Sequence, residues 1–235
     1  MEKISIDAPG GKAPVYIWDT KAPTVLVYMD GVGMRPAIRE VAAKIADHGY
    51  RVVMPDLFYR LGDYTPPPMA EMFGKPEVQK DWWGKVTSIM TPDNIQADLA
   101  CWASYIGGPF GVTGYCMGGR LAIVTAEMFP DQVRAAGAYH PGGLVTEEPH
   151  SPHRSIAQIK GKVYIGRAKD DAHFTDAHLA TLEKAIADAH VDAKIETYNA
   201  KHGWVPTDSP VHDAAEAARH FETTFALFDS ALPRA

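Results

Sequence analysis

Two hydrophobic rhythms alternate along the chain. Short runs rich in β-branched and aromatic residues, at 14–18 and 24–29, predict strands. At 34–49 the period changes: Ile38, Val41, Ala42 and Ile45 recur at helical spacing, and Gly49 stands where a helix C-cap would. A strand over 50–56 is stopped by Pro55. The alternation resumes with a helix over 92–108, opened by Pro92 and Asp93, a strand over 109–115, and a helix from Met117 to Phe129, ended by Pro130. A strand at 134–140, a loop at 140–153, a strand at 161–168, a helix at 176–191, a strand at 193–199 and a closing helix at 210–229 complete the pattern. Such alternation predicts an α/β fold with a mostly parallel sheet and helices on both faces.

Residues 59–91 interrupt the rhythm with Pro66, Pro67 and Pro68 and the pair Trp82 and Trp83. They are expected to form a lid-like excursion with a short helix. No internal repeat, low-complexity tract or long linker divides the chain, so residues 1–235 are expected to form a single domain.

Composition narrows the class. The chain has 235 residues, 46% hydrophobic and 22% charged, which suits a soluble protein with a sizeable core. A net charge of −6 offers no electrostatic attraction to nucleic acid or an anionic membrane. No apolar run approaches the roughly 18 residues of a membrane span, and the N-terminal residues lack the apolar stretch of a secretory signal. The two cysteines, Cys101 and Cys116, form no CxxC pair. Free thiols fit a reducing cytoplasm better than a disulfide framework.

The sharpest chemical motif is Gly114-Tyr115-Cys116-Met117-Gly118-Gly119, between a predicted strand and a predicted helix. This is the context of a nucleophile elbow, with Cys in place of Ser. The helix N-terminus lowers a thiol's pKa and favours the reactive thiolate, and the Met117 N–H is placed to form half of an oxyanion hole. Cys101 lies within a helix and is read as core.

In hydrolases of this architecture the acid and then the histidine follow the nucleophile in the chain. His202, in Lys201-His202-Gly203-Trp204, falls after the last predicted strand, on the edge that also carries the elbow. Its imidazole is suited to general base work. The orienting acid follows the strand at 161–168, where Asp170 and Asp171 both stand; Asp171 is the choice. His140 ends a strand at the same edge, where it either lines the pocket and meets a substrate oxygen or simply packs. Trp82, Trp83 and Tyr64 form either a lid wall or a satellite core, and Trp204 borders the site. His173, His178 and His190 read as helix-surface residues. His140, His150 and His153 fit no zinc-ligand spacing, so no metal is expected.

The G-Y-C-M-G-G elbow, the acid at 171 and the H-G-W at 202–204 resemble the dienelactone hydrolase family. So does the segment from Asp30-Gly31 through Gly49-Tyr50 to Pro55-Asp56-Leu57-Phe58-Tyr59-Arg60. The resemblance spans roughly 15–230 and implies an α/β-hydrolase that cleaves a small-molecule ester or lactone without a cofactor, as a monomer or small homo-oligomer. It implies Cys116 as nucleophile, His202 as base, Asp171 as orienter, and the N–H groups of Met117 and Gly31 as the oxyanion hole. A family Glu that contacts the resting thiol corresponds here to Asp30, which reads equally as a turn residue. A second departure is larger. The family's arginine clamp for a substrate carboxylate is missing, because Pro206 stands at one of its positions and 61–91 holds no Arg. An uncharged or bulkier ester is therefore expected. The alternatives are a non-catalytic ligand-binding relative, or acyl transfer or carbon–carbon bond hydrolysis on the same site.

Overall fold

The computed structural model describes residues 1–232. At its centre lies a sheet of β1 (Glu2–Ala8), β2 (Gly11–Trp18), β3 (Thr24–Tyr28), β4 (Arg51–Pro55), β5 (Phe110–Tyr115), β6 (Val133–Tyr139), β7 (Lys162–Ala168) and β8 (Ala193–Tyr198). The strands lie in the order β1-β2-β4-β3-β5-β6-β7-β8. β2 pairs antiparallel with both β1 and β4, and every other neighbouring pair is parallel. The helices are α1 (Pro36–Asp47), α2 (Met69–Gly74), α3 (Pro76–Ile89), α4 (Pro92–Ile106), α5 (Met117–Met128), α6 (Asp176–Ala189) and α7 (Ala214–Ala231). None of the helices among the described residues is long and apolar enough to cross a membrane.

From β3 the chain crosses towards β4, and from β5 it crosses the other way, towards β6. Right-handed crossovers in opposite directions put α1 and α5 on opposite faces of the sheet. The order therefore reverses between β3 and β5, and the crevice at their C-terminal ends is where α/β sheets bind ligands. The loop after β3 begins at Met29, and Cys116 directly follows β5.

Local sequence explains the elements. All six residues of β5 are buried, as a central parallel strand covered on both faces requires. α1 buries Ala37, Ile38, Val41, Ala42 and Ile45 on one stripe and starts with Pro36. Fully burying an Ile side chain such as Ile38 contributes about 1.5–3 kcal/mol. α4 starts where the Thr91 hydroxyl accepts the Asn94 N–H at 3.3 Å and ends at Gly107 in the left-handed region.

Two expectations need correction. β1 was not expected, yet Ile4, Ile6 and Ala8 alternate with exposed residues and pair the strand with β2 as an edge hairpin. The excursion holds two helices rather than one short one, and α3 runs for 14 residues. Its start is anchored to α4, where Asp98 accepts hydrogen bonds from the Tyr59 hydroxyl at 2.7 Å and from Arg60 Nη2 at 2.6 Å.

Candidate active site

The turn from β5 into α5 is forced by close packing. A side chain on Gly114 would run into the Gly118 carbonyl, and one on Gly118 into the Met29 carbonyl. Cys116, between them, is held at φ 54 and ψ −117. A residue with a Cβ costs about 1–3 kcal/mol in such a conformation, and the surrounding contacts offset that cost. The Cys116 N–H is tied to the Tyr139 carbonyl at 3.0 Å. The Met117 N–H, first in α5, has no hydrogen-bond partner among the described residues.

His202 lies in the loop after β8, next to Gly203 at φ 92. Its Nδ1 is 2.8 Å from Asp171 Oδ2, and Asp171 Oδ1 accepts the His173 N–H at 2.8 Å. The Asp171 side chain is 1% exposed, whereas Asp170 is exposed in a left-handed conformation at φ 54. Of the two candidate acids, then, the structure brings Asp171 to the histidine. Burial works against a charged imidazole, but the hydrogen bonds and charges of Asp171 and Cys116 outweigh it, and the His202 pKa is pushed up to about 10. For Asp171 burial acts upward, yet the bond and charge of His202 leave its carboxyl below the usual range.

The loop after β3 is fixed from several sides. Asp30 Oδ1 accepts the Val32 N–H at 3.0 Å, and Trp82 Nε1 donates to the Gly31 carbonyl at 2.9 Å. The peptide unit joining Gly31 to Val32 is thus held at both its oxygen and its nitrogen. The Gly31 N–H has no partner among the described residues. The Asp30 carboxylate also takes a two-pronged bond from Arg35, at 2.7 Å to Nη1 and 2.9 Å to Nη2. The same guanidinium reaches Asp208, at 2.8 Å from Nε and 3.2 Å from Nη2. Asp30 is therefore a turn former and the partner of a buried arginine.

These groups surround a cavity of about 550 Å³. Cys116, Met117, His202, Asp30 and Gly31 line it. Met69, Met72, Phe73 and Trp83 give it an apolar side, and Arg120, His140, Gly142, Gly143 and His173 a polar one. Trp82 does not line it. It lies 4% exposed behind the wall, edge-on to Phe58. Trp204 is fully buried, stacked on Tyr198 and edge-on to His140, and also stays off the cavity surface. Cys101 is away from the cavity, with its sulfur 3.7 Å from the Asp7 carbonyl.

Three lining residues were missed or misread in the sequence. His173 is no helix-surface residue, since its ring lies 5.0 Å from that of His202. Arg35 and Arg120 both reach the cavity although no arginine was expected there. Arg35 is occupied by carboxylates, whereas the buried Nε of Arg120 has no partner. The signal for Arg120 was its place four residues after Cys116, on the adjoining turn. Among the described residues no group of three or more His, Cys, Asp or Glu is placed to hold a metal ion.

Comparison with known proteins agrees with this architecture. A carboxymethylenebutenolidase of Rhodococcus opacus is 29% identical over 222 residues, covering 89% of this chain and 81% of its own. A solved chain from Klebsiella pneumoniae, named as a candidate dienelactone hydrolase, superposes with a TM-score of 0.80 at 23% identity over 97% of each chain. A dienelactone hydrolase-like promiscuous phosphotriesterase from metagenomic libraries superposes with a TM-score of 0.72 at 20% identity over 98% of each. At these identities the two structures speak for the fold. The family model described as the dienelactone hydrolase family matches residues 13–232, nearly the whole chain. With strand order, elbow and sequence match in agreement, the chain belongs to the dienelactone hydrolase family.

Proposed function

We propose that the chain hydrolyses carboxylic esters or lactones through a thioester formed on Cys116. One observation carries the reading: the His202 ring is bonded to Asp171 at 2.8 Å and lines the same cavity as Cys116. The same cavity is lined by Gly31 and Met117, whose N–H groups have no partner among the described residues.

In the first step the Cys116 sulfur attacks the carbonyl carbon. The oxygen that becomes negative is stabilised by the N–H groups of Gly31 and Met117. His202 gives its proton to the departing alkoxide, the carbon–oxygen bond breaks, and a thioester remains. For a lactone the released hydroxyl stays tethered to the acyl group. Asp171 keeps the imidazole oriented throughout. Water then cleaves the thioester with His202, now neutral, as base. The apolar side, led by Trp83 and Phe73, takes the hydrocarbon part of the substrate, and Arg120 faces any acidic substituent. With both cysteines free, the reading places the protein in a reducing compartment such as the cytoplasm.

Acid-quenching a reaction with 4-nitrophenyl acetate and mapping the peptides by mass spectrometry tests the reading. An acetyl group on Cys116, with Cys101 unmodified, is the expected result; steady turnover with no adduct on Cys116 would refute it.

Trp82 acts through Gly31. Trp82→Phe keeps an aromatic ring in the wall but removes the donor to the Gly31 carbonyl. Loss of one such bond, worth about 0.5–1.5 kcal/mol, is expected to lower kcat by roughly two- to tenfold. KM and the alkylation rate of Cys116 should stay near wild type. A change confined to KM would show that the bond does not act on the transition state.

A further inference from the structure

His140 is a polar side chain of the cavity that the scheme above leaves without a task. It lines the cavity yet is 1% exposed, and both of its ring nitrogens are buried without a hydrogen-bond partner. Two orphaned nitrogens are costly, because a buried polar atom without a partner gives up the hydrogen bonds it had to water. Such a cost is tolerated where a partner arrives during function.

The backbone holds the residue in an unusual place. His140 stands at φ 38, directly after β6, and its N–H donates to the Gly166 carbonyl at 2.7 Å. The ring meets that of His202 edge-to-face at 4.9 Å between centroids, and that of Trp204 at 5.0 Å. It is thus fixed next to the proposed base but not bonded to it. Burial, then the nearby His202 and His220, keep the His140 pKa well below the usual histidine value. A neutral imidazole offers one N–H donor and one lone-pair acceptor. That pairing suits water, which both accepts and donates, better than a carboxylate or an ammonium group.

We propose that His140 is a positioning residue for the hydrolytic water of the second half-reaction. This rests on the thioester reading above. In that half-reaction the water oxygen bonds the thioester carbonyl carbon while His202 takes a water proton. The carbon–sulfur bond then breaks, the electron pair returns to the Cys116 sulfur, and the carboxylic acid leaves. The first half-reaction consumes no water and does not call on His140.

His140→Phe tests this, because it keeps the ring and its contacts with His202 and Trp204 while deleting both nitrogens. Rapid mixing with 4-nitrophenyl acetate is expected to give a nitrophenolate burst of one equivalent, with an acylation rate within about twofold of wild type. The steady-state rate after the burst should fall about 10- to 100-fold, the scale of a misplaced reactant, and acetyl-Cys116 should accumulate. Added hydroxylamine, a stronger nucleophile that needs less help than water, should restore turnover. His140→Gln, which supplies a donor and an acceptor, should recover part of the rate. Thermal stability of the Phe variant should be equal to or above wild type, since two orphaned nitrogens are gone.

A variant that slows acylation and deacylation alike, or leaves deacylation unchanged, would overturn the proposal. If instead neither protein ever carries an acyl group on Cys116 while the ester is still turned over, the thioester reading itself has failed.

Discussion

Cys116→Ala is expected to lower turnover of 4-nitrophenyl acetate by at least roughly 10⁴-fold, as loss of the nucleophile does in enzymes of this logic. What remains is the modest catalysis of the oxyanion hole and of binding alone. The variant should fold, because Ala keeps the Cβ and removes only a sulfur that lies in a half-buried position. It also keeps the strained φ of 54. Cys116→Gly is the informative companion: equally inactive, it should unfold about 1 kcal/mol later, because glycine adopts that conformation without steric cost. Ester assays together with denaturant titrations read both effects. Activity retained above one-hundredth of wild type in the Ala variant would remove Cys116 from the chemistry.

Asp171→Asn is expected to cost roughly 10²–10⁴-fold in kcat/KM at neutral pH, whereas Asp170→Asn should stay within about twofold, because Asn tolerates the left-handed conformation of that exposed position. The difference follows from the bond at 2.8 Å to His202. The pH profile should move too. His202 is protonated up to about pH 10, against an ordinary value of 6.5, through Asp171 and Cys116 acting against burial. Without Asp171 that pKa falls, so the alkaline limb of activity moves to lower pH. Stability follows the same sign. A folded pKa above the unfolded one stabilises fully below about 6.5, and the benefit is lost as pH rises towards 10. Asp171→Asn should therefore flatten the decline in melting temperature across that window. Equal losses for the two Asn variants would reverse the assignment of the acid.

The elements that were legible in the chain are those whose information is local. α1 is legible because Ile38, Val41, Ala42 and Ile45 share one stripe. The elbow is legible because close packing at Gly114 and Gly118 leaves room for no other residue. β1 was overlooked although it carries a local signal, the alternation of Ile4, Ile6 and Ala8. Other features depend on distance. Trp82 and Trp83 are neighbours in sequence, but a helix turns about 100° per residue. One therefore bonds the Gly31 carbonyl from behind the wall while the other packs on Gly31 and lines the cavity, and nothing in the pair itself says which. Arg35 meets Asp208 only because the loops after β3 and β8 converge. A charge ahead of a helix otherwise suggests solvent. His140 was placed at the correct edge, but that its nitrogens are orphaned belongs to three-dimensional packing alone.

The guanidinium of Arg35 grips one carboxylate from the early part of the chain and one from the late part. It works like a rivet through two plates. Neither plate can drift without dragging the other, so the segment that carries Gly31 and the segment that carries His202 move as a unit. Chimaeras that join the front of this protein to the back of a relative would inherit a half-filled rivet hole unless positions 30, 35 and 208 travel together.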